Sequence, residues 1–140
     1  VIAFVTLAIQ AATAGAAVAP VAISCTGTET KTGHAGRKPT IATRTRVYII
    51  DEVAKDVSYW NPVYGKSVSL CIGRDKCAPE FNPHVITLSA GSGDDMVEVT
   101  IDRQTGTYWQ LSSDSIQTYR FSGACSRTAM PSADLSKNKF

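Results

Sequence analysis

The sequence predicts an all-β domain, an antiparallel meander closing into a small barrel or sandwich of about seven or eight strands. Three observations carry that expectation. Short runs rich in Val, Ile, Thr and Tyr recur at fairly regular spacing between turns marked by Gly, Pro, Asn or Asp. No segment holds a helical period over about ten residues. The stretch Met96–Ser112 reads as a hairpin. In it Val97, Val99 and Ile101 alternate with Glu98, Thr100 and Asp102, and Thr107, Trp109 and Leu111 alternate with Tyr108 and Gln110. Asp102 is placed to bond its own turn backbone, and Gly106 to take the left-handed conformation of a type I turn with a bulge. Asp102, Arg103 and Gly106 are thus turn builders, and the register expected puts Trp109 on the buried side with Val99 and Ile101.

The other elements follow in order. Val21 to Gly27 is the first strand, with Cys25 inside it; Thr28 to Thr40, punctuated by Gly33, Gly36 and Pro39, reads as a loop or a weak edge hairpin. In Ile41 to Asp51, Thr45, Val47 and Ile49 face one way and Arg46, Tyr48 and Ile50 the other. Arg44 and Arg46, opposite Val47, are read as a solvated face. Asp51 to Asp56 repeats the layout of the Asp102 turn without its glycine, and Val57 to Trp60 returns as a partner strand. After Asn61-Pro62 and Gly65, Ser67 to Ile72 is a strand, Gly73 to Pro83 a loop and His84 to Ala90 a strand. Gly91 to Asp95 turns tightly into the hairpin, and Gln117 to Cys125 is the last strand.

Charge is unevenly placed. No Asp, Glu, Lys, Arg or His occurs before Glu29. Val1 to Ala12 is an apolar run, followed by small residues and Pro20, the layout of a signal-peptide core and cleavage region. Ala14-Gly15-Ala16 is the expected cleavage site. The apolar run is shorter than the roughly 20 residues that span a bilayer, which favours export over a retained anchor. The expected division is therefore a signal peptide over 1–16, lacking its start, a single β domain over 17–126, and an irregular tail over 127–140 in which Phe140 could dock. The location expected is periplasmic or secreted. A net charge of +2 is too small to argue for nucleic acid.

An even count of four cysteines in an exported chain favours disulfides. Of the three connectivities, the expected one joins Cys71 to Cys77 as a local clip and Cys25 to Cys125 as a tie between first and last strands. The competing readings are a zinc site, against which the C-x5-C spacing argues, and a lipid anchor on Cys25, against which Ala22 in place of leucine argues.

Chemistry is thin. His34 sits in a Gly-rich loop beside Arg37 and Lys38, and His84 at a strand start after Asn82-Pro83; neither belongs to a recognisable nucleophile arrangement. Asp94-Asp95 lacks the spaced ligands of a calcium loop, and Gly91 and Gly93 precede no phosphate-binding helix. No catalytic, cofactor-binding or metal-binding residue is assigned. The aromatics Tyr59, Trp60 and Tyr64 are the candidate binding surface.

Ile23 to Thr30, Val47 to Trp60, Val99 to Leu111 and Tyr119 to Ser126 together resemble a group of small exported bacterial proteins of unknown function. The shared features are a Cys-x-Gly opening (Cys25, Gly27), an Ile-Asp-Arg-x-Thr-Gly hairpin (Ile101 to Gly106) and a closing Ser-Gly-x-Cys (Ser122 to Cys125). The lysine-bearing tail after Cys125 and the Cys71, Cys77 pair depart from that pattern. The resemblance implies an envelope location and a compact disulfide-bridged β domain; it carries no activity.

The function expected is a non-enzymatic binding role in the cell envelope, as a monomer with an unknown protein or envelope component as partner and no cofactor. The alternatives are a carrier barrel for a small apolar ligand and an inhibitor of an envelope lytic enzyme. Such inhibitors carry a Ser-Gly-x-x-Tyr motif, whereas here Ser122-Gly123 is followed by Ala124-Cys125. A hydrolase using His34 or His84 is the weakest reading.

Overall fold

The computed structural model describes residues 18–132; the signal peptide expected over 1–16 and Phe140 lie outside them. The described chain forms nine strands. These are β1 (Val21–Gly33), β2 (Thr40–Asp51), β3 (Asp56–Asn61), β4 (Lys66–Ser69), β5 (Glu80–Phe81), β6 (Val85–Ser92), β7 (Asp95–Asp102), β8 (Thr107–Ser113) and β9 (Gln117–Thr128). No helix among the described residues is long and apolar enough to cross a membrane.

All nine strands belong to one antiparallel sheet of order β4-β3-β2-β1-β9-β8-β7-β6-β5. Chain neighbours pair everywhere except between β4 and β5, and the first and last strands pair along twelve residues, Ala22 with Thr128 through Gly33 with Gln117. The sheet curls into a half-barrel whose gap lies between β4 and β5. This gap, not the β1–β9 junction, is the open seam, and the segment 70–79 crosses it, clipped by Cys71–Cys77.

Three strand boundaries differ from the sequence reading. The Thr-rich residues after Gly27 continue β1 as far as Gly33, because β2 on one side and β9 on the other satisfy their backbone groups. The ninth strand, β5, is only two residues long and lies in what reads as a loop. The last strand likewise runs on to Thr128, past the expected start of the tail.

The interior follows from strand phase. Odd residues of β1, β3, β7 and β9 and even residues of β2, β6 and β8 point into the concave face. Ile23, Cys25, Tyr48, Ile50, Val57, Ile86, Leu88, Val97, Val99, Ile101, Tyr108 and Phe121 fill it as one buried cluster. The convex face carries exposed Thr26, Thr28, Thr43 and Thr45.

Trp109 is not on the buried side. The hairpin loop between Asp102 and Thr107 holds four residues, so Ile101 pairs with Tyr108 and Val99 with Gln110. An even loop couples odd positions on β7 to even positions on β8. Tyr108 and Gln110 are therefore inside, and Trp109, 40% exposed, is on the convex face.

The turn itself forms as its residues require. Asp102 Oδ1 accepts from the backbone N–H of Gln104 and Thr105 at 2.8 and 2.9 Å, and Gly106 has φ of 69°. The Asp51 turn repeats it: Asp51 Oδ1 accepts from Val53 and Ala54, and Lys55 takes the left-handed position with φ of 54°.

Both expected disulfides are present, and Cys25 and Cys125 are direct cross-strand partners. With its sulfur bonded to Cys125 and fully buried, Cys25 is not a lipid attachment point. Beside this bridge Gly27 faces Gly123, where the strands come so close that a Cβ on Gly27 would lie 1.9 Å from the Ser122 carbonyl oxygen. The missing side chains are what let β1 and β9 approach so closely here.

Candidate functional site

The apolar cluster does not fill the concave face from end to end. Toward the end bearing the β8–β9 turn the inward positions become polar: Glu29 and Lys31 on β1, Arg46 on β2, Gln110 and Ser112 on β8, Gln117 and Tyr119 on β9. Together with Tyr48, Tyr59, Leu70, Arg74, Ser113 and Asp114, all of these but Glu29 border a cleft of about 300 Å³.

Glu29 organises the cationic wall. Only 4% exposed, it accepts from Arg46 Nε at 3.1 Å and from Arg46 Nη2, while Lys31 Nζ lies 3.2 Å from its other oxygen. Arg44, more exposed, stands 3.9 Å off. Burial works to raise the Glu29 carboxyl, but the hydrogen bonds and charges of Arg46 and Lys31 outweigh it and hold the pKa below its ordinary value. Arg46 also sits over the Tyr119 ring, 5.8 Å from its centroid. Arg46 is thus part of the concave wall, and the solvated face expected for it is overturned: it shares strand phase with Tyr48 and Ile50. Arg44 has the same phase but keeps its side chain 58% in solvent.

Arg74 reaches the cleft from the segment that crosses the seam. Its N–H donates to the Cys71 carbonyl at 3.0 Å and its Nη1 to the Leu70 carbonyl at 3.2 Å, so the disulfide-clipped turn fixes the base of the side chain. Arg74 Nε is 3.4 Å from Asp95 Oδ1 without forming a hydrogen bond, and this buried donor has no acceptor among the described residues. Asp95 is mostly in solvent. The ion pair is therefore loose.

At the base of the cleft the Tyr108 hydroxyl donates to Gln110 Oε1 at 2.8 Å. Burial pushes the Tyr48, Tyr108 and Tyr119 phenols above their ordinary value. They remain neutral hydroxyls at any physiological pH.

The candidate aromatics do not form one surface. Tyr59 lines the cleft, Trp60 follows it on the same strand and so points to the other face, and Tyr64 is exposed in the β3–β4 turn beside Lys66. Neither histidine bonds a carboxylate. His34 lies near the Ser115 carbonyl and the Thr118 hydroxyl, and His84 Nδ1 accepts from Gln104 Nε2 at 3.0 Å. Asp94-Asp95 gains no further carboxylate, and among the described residues no group of three or more His, Cys, Asp or Glu is placed for a metal ion.

Glu29, Lys31, Arg46 and Arg74 are the residues that sequence reasoning missed. A signal was present for Arg46, whose parity on β2 matches Tyr48 and Ile50. Glu29 and Lys31 share the parity of Cys25, which became visible only when β1 proved to run through them.

A second hollow of about 240 Å³ lies at the opposite end, with Val18, Val21, Ile23, Ile50, Ile86 and Ile101 in its lining and Glu52 and Arg103 at its edge. No protein-family model matches the chain, and no curated protein matches it in sequence.

Proposed function

We propose that the chain is an exported, disulfide-bridged β domain whose role is to bind another molecule, and that the cleft bordered by Lys31, Arg46 and Arg74 is where it binds. The observation that carries this reading is the cleft itself: guanidinium, ammonium, phenol, amide and hydroxyl groups converge on about 300 Å³ of open space, the low end of ordinary ligand-site volumes. Two disulfides support an oxidising compartment such as the periplasm or the outside of the cell. The histidines lack the carboxylate partner that a hydrolase would need to orient them.

The test is a titration of the full chain with a panel of polar small molecules, followed by NMR. Shifts are expected at Tyr59, Gln110 and Tyr119 and not at Ile23 or Ile86. A panel without effect, or shifts confined to the opposite end, would overturn the assignment. Export is tested separately, by fractionating cells that express the full precursor and measuring the mass of the product.

The second hollow favours one other reading, a carrier for a small apolar molecule, since six of its lining residues are Val or Ile. Displacement of an apolar fluorescent probe by medium-chain alcohols would support it. The lytic-enzyme inhibitor has less to stand on. Ser122 and Gly123 lie within β9, paired on both sides to β1 and β8, and offer no protruding loop to insert into an enzyme cleft.

A further inference from the structure

We propose that the cleft takes a sugar acid, a single carboxylate on a polyhydroxylated ring, with the carboxylate bound by Arg74 and Arg46. This rests on the reading of the cleft as a binding site and adds the chemistry of its ligand.

Charge sets the first constraint. Lys31, Arg46 and Arg74 border the cleft, with Asp114 on its rim and Glu29 behind its wall. Three cations face two carboxylates, and adding the outlying Arg44 and Asp95 leaves the same single positive excess. One excess charge matches a monoanion better than a phosphate dianion.

Free donors set the second. Arg46 uses Nε and Nη2 on one oxygen of Glu29, which leaves Nη1 with no acceptor among the described residues. Arg74 spends Nη1 on Leu70 and its Nε is shut away from solvent beside Asp95, which leaves Nη2 with no acceptor among the described residues. A guanidinium donor that no protein group accepts from is free to make a charge-assisted hydrogen bond to an entering carboxylate oxygen. Both guanidinium groups are already held: Arg46 by Glu29 and the Tyr119 ring, Arg74 by the clipped turn. The ordering cost of binding is correspondingly small.

The rest of the wall sets the third. Gln110, Ser112, Ser113 and Gln117 supply amides and hydroxyls, and Tyr59 and Tyr119 supply ring faces and phenols. Alternating donors and acceptors beside an aromatic face suit ring hydroxyls and the C–H face of a sugar. They suit an aliphatic acid poorly. The volume admits about one ring.

The experiment is calorimetric and NMR titration of the full chain, both disulfides formed, with glucuronate and galacturonate. Glucose, acetate and inorganic phosphate are the comparison probes. At low salt one of the two uronates is expected to bind at the cleft about tenfold or more tighter than glucose, acetate or phosphate, with affinity falling as salt is added. Arg74→Gln is expected to weaken it about tenfold and Arg74→Lys several-fold, since an ammonium keeps the charge but loses the fork. If Arg74→Gln does not fold, the exposed Lys31→Gln is read instead, with a several-fold loss expected from the removed charge.

Glucose binding as tightly as the uronates, or phosphate binding tighter, would overturn the carboxylate assignment while leaving the cleft a binding site. Other polar molecules shifting Tyr59 and Tyr119 with neither uronate doing so would have the same effect. Silence of the cleft toward every small molecule would remove both readings.

Discussion

The ring of Tyr48 on β2 stacks on the ring of Tyr108 on β8, centroids 4.0 Å apart and planes 18° from parallel. Two strands, β1 and β9, lie between them in the sheet, so the contact exists only because the sheet curls. Phe121 packs obliquely against both rings. Removing either ring leaves a void that the hydrogen-bonded sheet around it cannot collapse to fill. Tyr48→Ala and Tyr108→Ala are each expected to cost about 3–5 kcal/mol in urea unfolding. A double-mutant cycle should return a coupling of about 0.5–1.5 kcal/mol. Strict additivity would show that the stack is incidental.

The Cys25–Cys125 bridge spans 100 residues and joins strands already paired along their whole length. Its main effect is therefore on the unfolded chain, which it confines. Replacing both residues by Ala should lower stability by about 4 kcal/mol and raise the urea m-value, since the unlinked chain exposes more surface when it unfolds. The same strand pairing should keep the native fold intact, with near-UV circular dichroism unchanged at zero denaturant. A loss below about 1 kcal/mol would mean that the denatured state stays compact without the bridge.

What was legible in the chain was local. Alternation in β7, the Asp102 and Gly106 turn and the Cys71–Cys77 clip all follow from residues close in sequence, and the clip leaves Cys25 and Cys125 for each other. The phase across a turn was not. Trp109 goes to the convex face because the loop holds an even number of residues, and nothing in Thr107 to Leu111 states that number. The cleft was hidden for a related reason. Its charged residues come from β1, β2 and the seam segment, and only the curl of the sheet brings Glu29, Arg46 and Arg74 to one face. Charges on alternate strand positions resemble a wet surface until a neighbouring carboxylate is placed behind them.

Glu29 gives the fold a defined acid sensitivity. Its carboxyl is held below its ordinary value by Arg46 and Lys31 against the effect of burial. A carboxyl depressed on folding contributes stability that is present above its unfolded pKa and lost as the pH falls through its folded one. Wild-type stability should thus decline on acidification through and below the ordinary carboxylate range. In Glu29→Gln the neutral-pH stability should be lower and the decline shallower. Asp102 and Asp114 are depressed as well, by backbone N–H donors, so some slope should remain in the variant. Identical slopes in the two proteins, followed by thermal unfolding from pH 7 downward, would show that Glu29 does not couple folding to protons.

The Asp51 and Asp102 turns share one geometry but differ at the left-handed position. Gly106 fills it in one and Lys55 in the other, with φ of 69° and 54°. A side chain there costs roughly 1–2 kcal/mol against the carbonyl that follows it. Gly106 carries a further constraint: its carbonyl accepts from the Cys125 N–H, and a Cβ would stand 3.0 Å from the Cys125 carbonyl oxygen. Gly106→Ala should therefore destabilise by about 1–2 kcal/mol, whereas Lys55→Gly should gain about 0.5–1 kcal/mol at the turn, the greater entropy of an unfolded glycine offsetting part of the relieved strain. Lys55 also lies 5.1 Å over the Phe81 ring, and an exposed contact of this kind is worth about 0.5–1 kcal/mol, a loss that offsets the gain at the turn and brings the net change in Lys55→Gly close to zero. Comparing Lys55→Gly with Lys55→Asn in urea separates the two effects. Both variants lose the ring contact, but asparagine keeps a Cβ, so glycine should be the more stable by a few tenths of a kcal/mol. Equal midpoints would show that the Cβ of asparagine carries no cost at this position.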